Sequence, residues 1–489
     1  MTHHSLSKSR IAAYEQCSRK LWLATHRPEL AQEDVGAQAR YASGHAVGEE
    51  ACRQSAGGVM VEAEPNLAAA VRTTAELLAS GHDAPIYEAT FVHDDVLVRC
   101  DILEPRGDGR WHMAEVKSST KAKPEQMADL ATQIWVAQGA GLPIGSAAVR
   151  HLDPQFRLSE NGRLDGLFMD SEILADVAPI MAGRSALVSD IRAMLAGDMP
   201  DQAMGVHCNS PYACAFQAHC AAIRPPAPEW PVDLLPRGGG KALMQRGHDD
   251  LTQVPPDLLT NALHRRIQSV TICGEPWHDA AAARAAMADW AYPRIWLDFE
   301  TVSEAIPRWT GCGPWRQVPF QFSAHVEGAD GRVDHVEFLQ MDGTDPRRAC
   351  ALALLDLPGD GAVIAWYASF EKARIRELAA DFPNLAPGLH ALAARVVDLL
   401  PVARDHWYHR DQRGSWSIKA VLPTIAPQMS YLALEVKDGG QAQQAYWEAI
   451  APDTMPARRA LLEQGLRRYC ARDTEAMMVV ARALAGEGA

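Results

Sequence analysis

The chain has 489 residues, 47% of them apolar and 22% charged, and a formal net charge of −14. That length implies two or three domains of ordinary globular composition. No apolar run approaches the ~20 residues of a membrane helix, and Met-Thr-His-His-Ser at the start has no apolar stretch behind a basic one, so neither a membrane span nor a secretory signal is expected. A cytoplasmic setting follows, in which the ten cysteines are reduced, catalytic or metal-bound rather than disulfide-paired. The acidic balance argues against a protein coated in nucleic acid. It does not exclude a nuclease, whose metal-binding carboxylates add to the negative count.

Residues 5–24 read as a helix that Ser5 or Ser7 can cap, with Ile11, Tyr14, Cys17 and Leu21 at helical spacing beside Lys8, Arg10, Arg19 and Lys20. Ala-rich helices follow over about 35–80. The period then changes to that of strands: Ile86 to Phe91, Val96 to Leu103 and Trp111 to Val116 form a predicted three-stranded meander. A helix over Pro124 to Ala137 starts on its proline, a strand covers Ser146 to Leu152, and 170–197 reads as helix. Five prolines between Ala222 and Gly240, then Gly238-Gly239-Gly240, mark a linker, set at 222–255. Beyond it come a helical 256–291, strands at 294–299, 317–325, 333–340 and 362–367, a helix at 370–380 and a last helix over about 456–484. The expected class is α/β.

Two places carry chemistry. Asp101 ends one strand of the meander, and Glu115-Val116-Lys117 lies on the next, where period two puts Glu115 and Lys117 on one face. Two acids that hold a divalent cation, with a lysine that offsets charge on a phosphoryl oxygen, make a hydrolytic arrangement; a solvated strand carries the same residues. In Asp298-Phe299-Glu300, on a short apolar strand, the same period sets two carboxylates side by side. A cation relieves their repulsion, as does a strand end facing water.

The order His45, Asp101, Glu115, Lys117, Gln133 resembles the RecB-like branch of the PD-(D/E)xK nucleases. The resemblance implies a metal site of His45, Asp101 and Glu115, with Lys117 and Gln133 catalytic. The family's tyrosine four residues after Gln133 is Ala137 here, and Trp135 is the nearby aromatic. Cys17 before that core and Cys208, Cys214 and Cys220 after it resemble the iron–sulfur members of this family, the CRISPR-associated RecB-like exonucleases and AddB-type helicase–nuclease subunits. Four thiolates suit a [4Fe–4S] cluster; a zinc site stays open.

Asp298-Phe299-Glu300-Thr301, Phe370-Glu371 after an apolar strand, and Tyr469-Cys470-Ala471-Arg472-Asp473 resemble the motifs of DEDD exonucleases, which have a ribonuclease H-like fold. The resemblance implies that Asp298, Glu300, Glu371 and Asp473 hold two Mg²⁺ or Mn²⁺ ions and that Tyr469 orients the attacking water. Glu371 stands where that family has Asp, and Asp398 is a second candidate for the corner. Between 404 and 419, cations alternate with aromatics, which suits a single strand of nucleic acid; Arg410, Arg413, Trp416 and Lys419 are the expected contacts, and a solvated loop is the plainer reading. Gly414-Ser415-Trp416-Ser417-Ile418-Lys419 also resembles a signature of bacterial proteins in which an exonuclease-like domain of unassigned function follows an iron–sulfur RecB-like nuclease. The expectation is thus a RecB-like domain over 1–221 and a ribonuclease H-like domain over 256–489. They act on DNA, at free or single-stranded ends, with RNA as the other substrate, in processing, repair or defence. The alternative is a binding protein in which one domain has lost catalysis.

Overall fold

The structure, a computed structural model, describes residues 6–32, 37–224, 226–431 and 434–487, with the side chains of 37–39 set aside. It is α/β, with two mixed sheets, a two-stranded ribbon and flanking helices. The chain divides into two compact units, Met1–Pro226 with Glu304–Arg316, and Ala227–Ser303 with Gln317–Ala489. No described helix is long and apolar enough to cross a membrane.

The first unit runs through β1 (Leu6–Ser7), α1 (Lys8–Gln16), α2 (Ser18–His26), α3 (Ala37–Gln54), β2 (Val59–Met60), α4 (Leu67–Ala79), β3 (Ile86–His93), β4 (Val96–Pro105), β5 (Trp111–Lys117), α5 (Pro124–Gly139), β6 (Ile144–Leu152), β7 (Phe168–Glu172), α6 (Ala178–Ala182), α7 (Arg184–Ala196) and α8 (Gln217–Ala222). Its sheet has the order β2-β3-β4-β5-β6-β7, with β1 parallel to β4. The predicted meander is β3–β5, paired antiparallel throughout. The crossover through α5 brings β6 parallel to β5, as a strand–helix–strand connection requires. Val98 and Cys100 on β4 and Met113 on β5 share a core with Ile11 of α1 and Leu130 and Ile134 of α5.

Three expectations shift here. The helix over 5–24 breaks at Cys17, whose extended backbone (φ −166°, ψ 120°) ends α1 and opens α2. Ser7 accepts from Arg10 N as the cap; Ser5 lies outside the described residues, as do 35, 36 and Pro225. The stretch over 170–197 begins as strand β7 rather than helix. Glu304–Arg316, unremarked in the sequence, belongs to the first unit. There Ala305 joins Val47, Leu152 and Leu158 in a small apolar cluster, Leu158 N–H donates to the Cys312 carbonyl at 2.9 Å, and Trp315 Nε1 donates to the Ser118 carbonyl at 2.6 Å.

The second unit contains α9 (Lys241–Met244), α10 (Ala262–Cys273), β8 (Trp277–His278), α11 (Ala280–Ala286), β9 (Arg294–Val302), β10 (Val318–Glu327), β11 (Val333–Leu339), α12 (Arg347–Leu355), β12 (Val363–Ala365), α13 (Ser369–Asp381), α14 (Ala386–Ala394), β13 (Val396–Asp398), α15 (Leu399–His406), β14 (Trp407–Tyr408), α16 (Ile418–Ile425), α17 (Gly439–Ile450) and α18 (Pro456–Leu484). Sheet order is β11-β10-β9-β12-β13. The central β9 is antiparallel to β10 and parallel to β12. Ile295, Leu297 and Phe299 enter the core with Ile375, Leu378 and Leu389 of α13 and α14. Period two turns Trp296, Asp298 and Glu300 to the opposite face, on the side where α17 and α18 pack.

Residues 227–255 are not a tether, contrary to the linker expected over 222–255. Val232, Leu235, Leu243, Leu251 and Val254 are buried, and Gly240 packs so closely on the Val232 carbonyl that a Cβ would not fit. Proline and glycine mark turns, and these turns are short enough to return apolar residues to a core.

Candidate active sites

In the first unit Glu115 is fully buried. Its Oε1 accepts from Lys117 Nζ at 2.5 Å and from Lys8 Nζ at 2.7 Å, and its Oε2 accepts from Gln133 Nε2 on α5. Asp101 Oδ2 accepts from Val116 N–H at 2.7 Å. Burial works against the Glu115 charge, but Lys117 and Lys8 overcome it and hold its carboxyl well below the usual range. Asp101 goes the other way: burial and the Glu115 charge push it up to about 7. Asp129, one helical turn before Gln133, rises to about 6, chiefly by burial. Asp101, Glu115, Lys117 and Gln133 are thus brought together as expected.

His45 is not brought into this group. It is exposed on α3 and makes no hydrogen bond among the described residues. Val47 and Ala51 fill the buried stripe of that helix, and two residues at ~100° each turn His45 away from Val47. Lys8 and Asp129 were not singled out. The i,i+4 spacing of Asp129 and Gln133 was a usable signal; for Lys8 the sequence held none beyond a basic helix start.

Cys17, Cys208, Cys214 and Cys220 line one pocket, with His207 and Lys20, and none is in a disulfide. Local hydrogen bonds converge them. Gln16 Nε2 donates to the His207 and Tyr212 carbonyls, each at 2.7 Å. Cys214 N–H donates to the Cys208 carbonyl at 2.8 Å. Burial raises the Cys214 thiol, and His207 Nε2 is buried without a partner. No three of these sulfurs belong to a group of ligand atoms within 4.8 Å of one another among the described residues. Four sulfurs on one tetrahedral zinc stand ~3.8 Å apart, from Zn–S bonds of ~2.3 Å. Four thiols with His207 nearby are donors of the kind that hold an iron–sulfur cluster or zinc.

In the second unit a cleft of about 420 Å³ is lined by Asp298, Glu300, Glu371, Tyr469 and Asp473. The acids come from β9, the first turn of α13 and the middle of α18. Burial, then Asp473, Glu300 and Glu371, push Asp298 well above the carboxylate range. Burial and Asp473 lift Glu300 to about 8; burial lifts Glu371, also to about 8. Asp473 is raised by burial even though Tyr431 donates its hydroxyl to it at 2.6 Å. Glu371 is buried, and its Oε2 has no partner. Carboxylates crowded in one cleft raise one another, and a bound cation would relieve that repulsion.

Cys470 Sγ lies within 4.8 Å of carboxylate oxygens of Asp298 and Glu300. Burial and the neighbouring acids raise its thiol well above the usual value, and it donates to the Asp298 carbonyl. It is therefore a protonated floor under the acids. Asp398, the other candidate for the Glu371 corner, is committed elsewhere: Oδ1 caps α15 by accepting from Leu400 N–H at 3.0 Å and also accepts from Tyr367 N–H at 3.1 Å.

The segment at 404–419 divides. Arg410 and Arg413 are exposed and lie against the Trp230 ring, at 5.7 and 5.1 Å. Trp416 is buried, its Nε1 donating to the Trp407 carbonyl at 3.3 Å, so its ring offers no free stacking face. Lys419 faces the acidic cleft, donating to the Tyr469 hydroxyl at 2.9 Å. The sequence named both residues and misplaced their surroundings, because a run of alternating cations and aromatics does not say which side chains the turn at Gly414 folds inward. At Gly414 (φ +76°) a Cβ would collide with the Leu234 carbonyl.

Residues 295–417 match a family described as a domain of unknown function (DUF2779). The match takes in Asp298, Glu300 and Glu371 and stops before Tyr469 and Asp473. No curated protein matches the chain. Among solved structures, that of SSO0001 aligns with 46% of this chain and 90% of its own, at 14% identity and a TM-score of 0.25.

Proposed function

We propose that the chain is a divalent-metal-dependent nuclease of the reducing cytoplasm that hydrolyses phosphodiester bonds of DNA at free or single-stranded ends. Its first unit reads as RecB-like and its second as ribonuclease H-like. The observation that carries the reading is the second cleft: four acids from three distant segments, Asp298 half-buried and Glu300, Glu371 and Asp473 buried, raised together, with Tyr469 beside them. Asp298, Glu300, Glu371 and Asp473 would hold Mg²⁺ or Mn²⁺. Such ions, when bound, supply an activated water and charge stabilisation at the leaving oxygen. Tyr469 presents its hydroxyl to the cleft, held by Lys419. In the first unit Asp101 and Glu115 would be the metal ligands and Lys117 the cation beside the phosphoryl oxygen. Cys17, Cys208, Cys214 and Cys220 would hold a [4Fe–4S] cluster, with zinc as the lesser alternative.

A second reading has one observation in its favour. Both lysines and Gln133 already occupy the two oxygens of Glu115, so the first unit serves equally as a nucleic-acid platform whose acid is neutralised by the chain itself. Labelled single- and double-stranded DNA and RNA, incubated with Mn²⁺, separate the two. Wild type, Lys117→Ala, Asp298→Ala and the double variant are compared. Loss in Asp298→Ala alone supports the platform reading; loss in each supports two active sites; a double variant that cleaves like wild type overturns the proposal.

A further inference from the structure

A second cleft in the same unit, of about 350 Å³, is lined by Arg237, Leu263, Trp366, Tyr367, Leu400 and Arg404. Its residues come from the stretch before α10, the β12–α13 turn and α15. Trp416 also lines it, and of these residues the sequence singled out Trp416 and the 404–419 segment that holds Arg404.

Tyr367 is unusual in two ways. It is 61% exposed, and its ring stacks on no other ring among the described residues. Its backbone is left-handed, with φ +69°, a conformation that a bulky residue adopts only when its surroundings impose it. They do so here. Tyr367 N–H is fixed by Asp398 Oδ1 at 3.1 Å, and its carbonyl accepts from Phe370 N–H at 3.1 Å. The neighbouring Trp366 is fixed as well, its Nε1 donating to the Trp416 carbonyl at 3.1 Å. The backbone that carries an exposed aromatic is therefore fixed at a conformational cost, in a setting where a folded core gains nothing from the ring.

The cations complete the site. Arg237 is exposed, also left-handed (φ +56°), and has no hydrogen bond or ion pair among the described residues. Arg404 donates only its Nε, to Asp405 at 3.3 Å, which leaves its terminal nitrogens for another acceptor. No carboxylate lines the cleft. An exposed aromatic face in one cleft with two arginines is the donor set for a base and its phosphate, and the volume suits a ligand the size of one nucleotide.

We propose that this cleft is a nucleotide subsite for single-stranded nucleic acid, in which Tyr367 stacks on a base and Arg237 and Arg404 bind the adjoining phosphates. The turn that carries Tyr367 continues into Phe370 and Glu371 of the acidic cleft, so a strand seated here runs on toward those acids. The proposal rests on the reading of that cleft as a polynucleotide-cleaving site. The subsite distinguishes single from double strands, because a base inside a duplex is stacked on both faces and has none to offer.

The test is binding without hydrolysis. Full-length protein is titrated, with no divalent metal, into fluorescein-labelled oligothymidylate and oligouridylate, and anisotropy is read at several salt concentrations. Tyr367→Ala is expected to weaken binding about 5- to 100-fold, and Tyr367→Phe to keep it. Replacing Arg237 and Arg404 together by Ala is expected to reduce the log–log salt slope by about 1.4, at ~0.7 per phosphate contact. Tyr367→Gly relieves the left-handed strain, so it is expected to hold or raise Tm while losing affinity; this separates loss of the subsite from loss of fold. If wild type binds and the Tyr367 variants bind equally well, the subsite is wrong and the proposed function stands. If wild type binds neither oligonucleotide, both fall.

Discussion

Lys419 Nζ donates to the Tyr469 hydroxyl at 2.9 Å and to the Lys437 carbonyl at 2.7 Å. The phenol that faces four acids is thus steadied by a lysine on a different helix, which also sits 4.8 Å from the centre of its ring.

Lys419→Met is expected to lower turnover of single-stranded DNA by about 10- to 100-fold, the range for groups that orient a metal site without touching the metal. Lys419→Arg, which keeps the charge, is expected to fall between. Steady-state kinetics with Mn²⁺ check this; a Lys419→Met enzyme with unchanged kcat refutes the role.

Stability without metal should fall as pH rises. Glu300 and Glu371 stand at about 8 in the fold against 4.5 in the open chain. Between those values the folded protein holds protons that the unfolded chain has released, so rising pH favours unfolding. Acids held low in the fold, Glu115 among them, act below that window; His325, held down at about 4 by burial and His335, opposes the fall only up to its open-chain value of 6.5. Tm in EDTA is expected to drop from about pH 4.5 to about pH 8 and then level, with Mn²⁺ flattening the curve. A metal-free Tm that climbs across this interval contradicts the acidic cleft.

Asp298→Asn removes one of the crowded charges. The variant is expected to be more stable than wild type without metal by about 1 kcal/mol, or ~2–4 °C in Tm, while cleavage attributable to the second unit falls ~100-fold or more. Stability gained where activity is lost is the usual trade at a strained site. Calorimetry and a nuclease assay on the same preparation read both.

In the first unit, Glu115→Ala leaves Lys8 and Lys117 facing each other in a buried pocket. Breaking a buried ion pair from one side costs about 3–5 kcal/mol, and Tm should fall accordingly. Lys8→Met is expected to cost less, since Lys117 still neutralises Glu115. Equal losses in the two variants would mean that Lys8, not Lys117, is the dominant partner.

Protein purified without oxygen should be brown, absorb near ~400 nm and contain iron. Cys17→Ser and Cys220→Ser should each bleach it. A colourless, zinc-containing protein would put zinc in the cluster's place.

The positions of Asp298, Glu300, Tyr469 and Asp473 were legible because strand and helix periods decide which side chains share a face. Glu115, Lys117 and Gln133 were legible for the same reason, aided by the proline that starts α5. The rest was hidden for a physical cause each time. Lys8 acts across 107 residues of chain, and no local period reports such a distance. His45 failed because the buried stripe of α3 belongs to Val47 and Ala51. The surroundings of Trp416 and Lys419 were hidden because one glycine turn, not composition, decides what faces inward. The linker failed because short turns and a flexible tether share the same residues, and only the spacing of Val232, Leu235 and Leu243 tells them apart.

Glu304–Arg316 has a consequence for how the protein is made. The segment lies between β9 and β10 in the chain, yet it contributes Ala305, Cys312 and Trp315 to the first unit. Chains emerge from the ribosome N-terminal end first, and domains generally fold in that order. Here the first unit is incomplete until synthesis has passed residue 316, well into the second. A nascent chain stopped at Pro226 lacks those side chains, and one begun at Ala227 carries them with nothing of their own unit to meet. The order in which the two units reach their final state is written into one half-buried loop.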